Sequence, residues 1–552
     1  MSALPLSEGP ITYPNRRDMF LSISIASWLV IGIIGVGLCL VVKLFETSSV
    51  PNGIPRVLNR EDLVGRAVER FVGVNPIGFI REGYQKYSKH QKPFVLPSVA
   101  EGDEVLLPKD LAKHVLFSKE NEYSFKAYIT DFFQLKYTSW PLAFAKKYDF
   151  YVKLISKDLT ETLKTDSVAR SLAEEARSCL ADLWGEDSET WVDVSLYCAM
   201  EKMASRMINV LAIGPGHSDE TLLNAMAHCS DAIVFGASII KAFPSFLHPE
   251  RTLPTKIGGR IIGPIVGMIN RYFEVIFHKR MKPIIESKIK EQQKQRDPEA
   301  QEETLKSVDS LLDLLIRAGL RSKWPIEATS MWLSYRIFMI NFPGVHTTAV
   351  SATSVLLDIL SDPIDENLVN HLRAEIESIA GNSSGYWNAE DLERAALLDS
   401  AVKESLRLNG INAASPTRKV VAPTGVSLAN GLFLPCGTKV GIPQYALHRD
   451  EEIYPEADRY NPYRFYIENA SESAIRQSSM TTTSDEYVVF GHGRRQCPGR
   501  FIFAHIFKVF IAEMLLNYDV QPILVRPKIH RWGRFQLPPV TTKLTVRRKK
   551  RN

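Results

Sequence analysis

The stretch Phe490-Gly491-His492-Gly493-Arg494-Arg495-Gln496-Cys497-Pro498-Gly499-Arg500 decides how the rest of the chain is read. Gly493 and Gly499 bracket Cys497 at −4 and +2, so the backbone can turn tightly and approach a flat ligand. Immediately afterwards, Phe501 to Tyr518 shows an apolar face at helical spacing, which puts Cys497 just ahead of a helix N-terminus. The free N–H groups and the macrodipole at that end favour a thiolate over a thiol. Arg494 and Arg495 are placed to meet anionic groups. No second Cys or His stands at zinc-finger spacing, and Cys436, in Leu434-Pro435-Cys436-Gly437, reads as a turn residue.

A thiolate held in this way is a good axial ligand for haem iron. The pattern F-x-x-G-x-R-x-C-x-G, carried by Phe490, Gly493, Arg495, Cys497 and Gly499, resembles the haem-binding signature of the cytochrome P-450 family. Five fixed positions make a chance match rare; the bland alternative is a buried cysteine in a Gly-rich turn. Glu404 and Arg407, three apart on one helix face, resemble the family's E-x-x-R element. Alone the spacing means little, since Glu174/Arg177 and Glu456/Arg459 share it. Position sets the first pair apart, because it precedes Pro462-Tyr463-Arg464-Phe465, which is similar to the family's P-x-R-F element. The resemblance implies a buried Glu404–Arg407–Arg464 network with a structural role. It also gives Arg418, in Pro416-Thr417-Arg418, the place of a propionate-binding arginine, against the alternative of an exposed strand-end arginine. His448 and Asp450 resemble the family's H-x-D turn and are read as structural.

From about Ala328 to Leu360 the chain reads as a long, mostly apolar helix interrupted by Pro343-Gly344, where a kink is expected. The family carries a motif on such a helix, (Ala/Gly)-Gly-x-(Asp/Glu)-Thr, that opens a groove for dioxygen. Aligned on it, Pro343 and Gly344 take the small-residue places, Thr347 the hydroxyl place, and His346 replaces the acid. An imidazole with an ordinary pKa near 6.5 can pass protons in that position. A kinked core helix with His346 hydrogen-bonded for packing is the alternative. Phe338, Ile340 and Asn412 to Ser415 are candidates for lining the cavity.

Outside these motifs the chain is ordinary. It has 552 residues, 45% hydrophobic and 23% charged, which argues against disorder. Six cysteines in that length point to reduced thiols rather than a disulfide scaffold. The net charge of +5 is matched by the run Arg547-Arg548-Lys549-Lys550-Arg551, so the body is neutral and no nucleic-acid surface is expected. That run reads as a solvated end, with attraction to an anionic membrane as its functional alternative. Met19 to Val42 is 24 residues without a charge, ~36 Å of helix, and reads as a retained transmembrane anchor rather than a signal peptide. The expected layout is a tail (1–18), the anchor (19–42), a Pro/Gly hinge (43–60) and one catalytic domain (61–552). Lys279 to Lys306 reads as a solvated connector and Tyr466 to Glu486 as a long surface loop. Phe235 to Phe246 is a candidate access lip, with ordinary helix packing as its alternative. Asn382 and Asn469 match the glycosylation acceptor pattern and matter only in a lumenal domain.

The resemblance implies a mainly α fold with small β-sheets and haem buried between the kinked and final helices. Cys-Pro-Gly-Arg-Phe running into the last helix looks most like fungal secondary-metabolite members such as the ent-kaurene oxidase group. The implied function is monooxygenation of a lipophilic small molecule, a terpenoid or polyketide. No dinucleotide fingerprint is present, so electrons are expected from a separate NADPH–cytochrome reductase, at the endoplasmic reticulum membrane with the domain cytosolic. Two readings stay open beside it: a haem-thiolate isomerase or dehydratase that uses no dioxygen, and a non-catalytic haem-binding membrane protein.

Overall fold

The computed structural model describes residues 41–42, 50–58, 63–72, 76–98, 101–139, 150–242, 257–294, 310–361, 365–380 and 386–550. Of the expected anchor only Val41 and Val42 fall among these, and both are helical; residues 1–18 and Asn382 lie outside them. The longer helices are α1 (Leu63–Val72), α2 (Pro76–Lys86), α3 (Lys109–Phe117), α4 (Phe125–Phe132), α5 (Asp166–Trp184), α6 (Leu196–Ala212) and α7 (Glu220–Ala242). They continue as α8 (Ile257–Lys294), α9 (Leu311–Leu320), α10 (Ser330–Leu360), α11 (Leu368–Ala380), α12 (Ala396–Leu408) and α13 (Arg500–Asn517). The strands are β1 (Phe94–Leu96), β2 (Glu104–Leu106), β3 (Tyr123–Ser124), β4 (Val192–Ser195), β5 (Arg418–Val420) and β6 (Val426–Ser427). After them come β7 (Phe433–Leu434), β8 (Lys439–Gly441), β9 (Tyr518–Val520), β10 (His530–Trp532), β11 (Phe535–Leu537) and β12 (Lys543–Arg548). The molecule is mainly helical with small sheets.

The largest sheet has the order β1-β2-β8-β5-β3, with β2 and β8 parallel (Val105 beside Val440) and the other pairs antiparallel. Its strands are short, and their apolar residues cover one core cluster with α2 and α3. The second, larger cluster is helical and is built from α5, α6, α10, α12 and α13 among others. Within it α13 is buried almost continuously from Phe503 to Leu515, so it is an interior helix rather than a one-faced surface helix. Its polar side chains are partnered there: Lys508 Nζ is 2.5 Å from Asp399, and Glu513 accepts from Trp387 Nε1 at 3.0 Å. Helix α7 is long and apolar enough by composition to cross a membrane, but it buries Leu222, Met226, Cys229, Ile233, Ala237 and Ile240 at helical spacing, as a core helix does.

Several segments differ from their sequence reading. The 50–58 part of the hinge is packed against the sheet. Ile54 and Val57 are buried, Arg56 pairs with Asp103 at 2.7 Å, and Val95 N donates to Pro55 O at 2.9 Å, so the segment extends the sheet edge. Lys279 to Lys294 is the end of α8 rather than a connector; residues 295–306 lie outside the described ones. The loop from Tyr466 to Glu486 contains a helix, Glu472–Ser478, capped by the Ser471 hydroxyl. The access-lip candidate is helical as far as Ala242, with Phe235 69% exposed, and residues 243–246 lie outside the described ones. Arg547 and Arg548 belong to β12, which lies between β4 and β9, and Lys550 pairs with Glu189 at 2.9 Å, so the basic run is largely tied down.

A buried polar knot holds distant parts of the chain together. The Glu104 carboxylate on β2 accepts from Arg534 at 2.7 Å and from the Thr417 hydroxyl at 2.9 Å. Arg534 also bonds Asn412 at 2.8 Å and, at its other Nη, the Ala414 carbonyl. With both charges paired and hydrogen-bonded, burial is tolerable; with either removed it is not.

Candidate active site

The cysteine loop is closed by its own backbone: Cys497 N donates to Phe490 O at 2.7 Å. Gly493 has φ +77°, and a Cβ there would stand 2.5 Å from the Leu116 carbonyl oxygen at the end of α3. Both the backbone conformation and the close approach therefore require glycine. Gly499 is the N-cap of α13, and a Cβ on it would meet nothing within 4 Å, so one side of the loop opens onto space. The Cys497 sulfur sits at the head of α13, where the Gly499 and Arg500 amides donate to it, and Arg500 Nη1 bonds the Cys497 carbonyl at 2.9 Å. The residue is exposed along one face, yet crowding by protein pushes its thiol above the ordinary value, and the two amides and Arg500 offset only part of that.

Helix α10 runs unbroken for 31 residues through Pro343, so the expected interruption is a local loosening within a continuous helix. Proline leaves the Met339 carbonyl without its usual i+4 donor, and the Thr347 hydroxyl donates to the Pro343 carbonyl at 2.6 Å. Pro343 and Thr347, one turn apart, are exposed in a helix that is otherwise mostly buried. His346 is half-buried and turns toward α6, with Nδ1 3.7 Å from Glu201 Oε1. Of the candidate lining residues, Phe338 is 2% exposed and packs against Phe277 and Phe342, so it belongs to the core. Ala413 and Ala414 are fully buried, whereas Ile340, Asn412 and Ser415 are partly buried.

The structure brings Glu404, Arg407 and Arg464 together. Arg407 Nε and Nη2 each reach one Glu404 oxygen at 2.7 Å, and Arg464 Nε reaches Oε1 at 2.9 Å. The remaining Arg407 nitrogen bonds the His448 and Ala457 carbonyls. His448 is buried and its pKa is pushed down to about 3 by desolvation and by the Arg407 charge. Its Nδ1 bonds the Arg407 carbonyl at 3.1 Å and its Nε2 accepts from Val488 N at 3.2 Å, just ahead of the cysteine loop. Asp450 accepts from Tyr84 at 2.7 Å and pairs with Lys89 at 2.9 Å. The other E-x-x-R spacings do differ: Arg177 pairs with Glu513, and Glu456/Arg459 is exposed.

The two cofactor-side arginines have unlike settings. Arg418 is 2% exposed, with its guanidinium 5.1 Å from the Phe125 ring centre and Nη1 on the Thr417 carbonyl at 3.0 Å, which rules out an exposed strand end. Arg495 is half-buried and pairs with Glu120 at 2.9 Å; Glu120 also accepts from Ser124 and from Lys126 N. Neither Glu120 nor Glu201 was evident in the sequence, because each meets its partner across a long stretch of chain with no local pattern to mark it.

Comparison with known proteins agrees with this geometry. Residues 104–546 match the family described as Cytochrome P450. The cytochrome P450 monooxygenase htyF of Aspergillus rugulosus is 27% identical over 454 residues, covering 80% of this chain and 64% of that protein. The cytochrome P450 monooxygenase polB of Polytolypa hystricis is 26% identical over 511 residues, 91% of this chain and 94% of that protein. For the cytochrome P450 monooxygenase gloP of Glarea lozoyensis the figures are 26% over 500 residues, 86% and 88%. A match over most of the chain, one that includes the cysteine held at the head of a buried helix, places this protein in the cytochrome P450 family, as a cytochrome P450 monooxygenase.

Proposed function

We propose that this chain hydroxylates a lipophilic small molecule, a terpenoid or polyketide, with haem held by Cys497 and electrons from an NADPH–cytochrome reductase. The observation that carries the reading is Cys497 at the head of α13, its sulfur supported by two amides and its open side beside Gly499. The donor set fits haem. One soft sulfur stands alone, and among the described residues no group of three or more His, Cys, Asp or Glu could complete a metal site, so an iron here needs its other ligands from a macrocycle. Arg418, buried and stacked on Phe125, and Arg495 are the candidates to meet the propionates, with Phe490 and the two glycines shaping the loop. Bound there, haem supplies the redox chemistry of dioxygen activation.

The protein's part is positioning and proton management. Thr347 donates to the Pro343 carbonyl, which fixes the hydroxyl and leaves its lone pairs free to accept a hydrogen bond. The contact of half-buried Phe133 with Phe342 on α10 supports an apolar substrate and the exclusion of water. The relatives' fungal origin and the Cys-Pro-Gly-Arg-Phe sequence support a secondary-metabolite substrate of the kind the ent-kaurene oxidase group takes. The uncharged run Met19–Val42 supports an anchor in the endoplasmic reticulum membrane with the domain cytosolic.

The test is a reduced, carbon-monoxide difference spectrum of membranes that express the full chain. A strongly red-shifted Soret band is expected, and Cys497→Ser should abolish it while the protein stays folded. A retained band in that variant would move the ligand elsewhere. Product formation from fed terpenoids that depends on both NADPH and reductase separates monooxygenation from isomerisation or dehydration.

A further inference from the structure

We propose that Glu201, on α6, is the positioning residue that recharges His346, so that protons enter the α10 groove from the α6–α7 surface. The proposal rests on the assignment of His346 and Thr347 to that groove. Where the resemblance leads one to expect an acid on α10 itself, the chain has an imidazole, and the nearest carboxylate comes from another helix. Glu201 Oε1 lies 3.7 Å from His346 Nδ1. That is within ion-pair reach but too long for a hydrogen bond, a gap that one water or a small rotation closes. Both side chains are part-exposed, at 29% for His346 and 36% for Glu201, so the pair spans from the helix interior toward solvent.

The surroundings suit a proton donor rather than a static ion pair. The titratable groups acting on Glu201 are His346 from α10 and Asp231 from α7, and among the described residues no lysine or arginine joins them. Tyr197, one turn earlier on α6, and Cys198 beside it complete the titratable set, and burial with the two carboxylates pushes the Tyr197 phenol up to about 12. Burial raises the Glu201 carboxyl, His346 lowers it and the exposed Asp231 raises it, with the net shift upward. A carboxyl held above its usual range is closer to imidazole in proton affinity, which makes transfer between them easier. The transfer balances. As His346 gives a proton from Nε2 toward the groove, Nδ1 takes one from the Glu201 O–H, and Glu201 regains one from water on the Asp231 side.

The experiment uses the full-length holoenzyme. An infrared difference between wild type and Glu201→Gln isolates the Glu201 carboxylic-acid stretch, and its pH titration is followed. The band should persist above the usual glutamate range and move further up in His346→Gln, because the imidazole is what holds it down. A band that titrates as an ordinary glutamate and ignores His346→Gln overturns the pairing. With reductase and substrate, Glu201→Gln should lower product per NADPH by about ten-fold, with peroxide rising in its place and an enlarged solvent deuterium effect. Glu201→Asp should recover part of the coupling, and KM should be unchanged throughout. Coupling equal to wild type in Glu201→Gln overturns the relay. The infrared titration needs no turnover, so it judges the pair even where the monooxygenase reading fails.

Discussion

Thr347 illustrates how one hydroxyl is committed by its helix. Its donor is spent on the Pro343 carbonyl at 2.6 Å, so removing it frees that carbonyl and loses the groove's fixed acceptor. Thr347→Ala should therefore leave folding and the carbon-monoxide band intact while peroxide released per NADPH rises severalfold; unchanged coupling would place the groove elsewhere. Gly493 is the opposite case, where the constraint is steric. A Cβ 2.5 Å from the Leu116 carbonyl, on a backbone at φ +77°, gives Gly493→Ala a cost of about 2 kcal/mol or more, and the cysteine loop would shift with it. Thermal unfolding checks the cost, and a weakened carbon-monoxide band checks the shift. His448 is a third type, a buried imidazole whose pKa of about 3 keeps it neutral. Protonation favours the unfolded chain, so its contribution is complete above about pH 6.5 and drains as pH falls toward 3, at about 1.4 kcal/mol per pH unit. His448→Gln can keep both hydrogen bonds without titrating, and its urea midpoint should fall less steeply between pH 6.5 and 4 than the wild type's.

At the scale of elements, α12 and the segment after it are fastened by charge. Glu404 and Arg407 are fully buried, and Arg464 adds the third member from a loop that carries no regular structure of its own. Glu404→Gln would leave two guanidinium groups sharing a neutral partner, for a loss of about 3–5 kcal/mol readable in the urea midpoint and in a reduced yield of haem-loaded protein. This cluster was legible in the sequence because its motifs are short and come in a fixed order, and so was the cysteine loop, whose parts are contiguous. Helix α10 was legible in extent, though its continuity through Pro343 was not: proline removes one bond, and packing on both sides of the break holds the rest. The partners of His346 and Arg495 could not be read at all. Glu201 and Glu120 look like any surface glutamate until the chain folds, because the contact is created by helix packing and carries no sequence period. The basic run was misread for a related reason: a polar segment looks solvated, yet Arg547 and Arg548 find partners in a sheet.

Across the whole molecule, one consequence comes from the knot at Glu104. Its partner Arg534 lies 430 residues further along the chain, and Thr417 lies 313 residues away. A ribosome adding about 5–20 residues per second delivers Arg534 roughly 20–90 s after Glu104. Until residue 441 is made β2 lacks its parallel neighbour β8, and until Arg534 is made Glu104 lacks that counter-charge, while the helices between them can already form from local contacts. The nascent chain therefore waits with a strand edge open and a carboxylate without its arginine, and the knot that locks the large sheet is tied only when the last strands are being made.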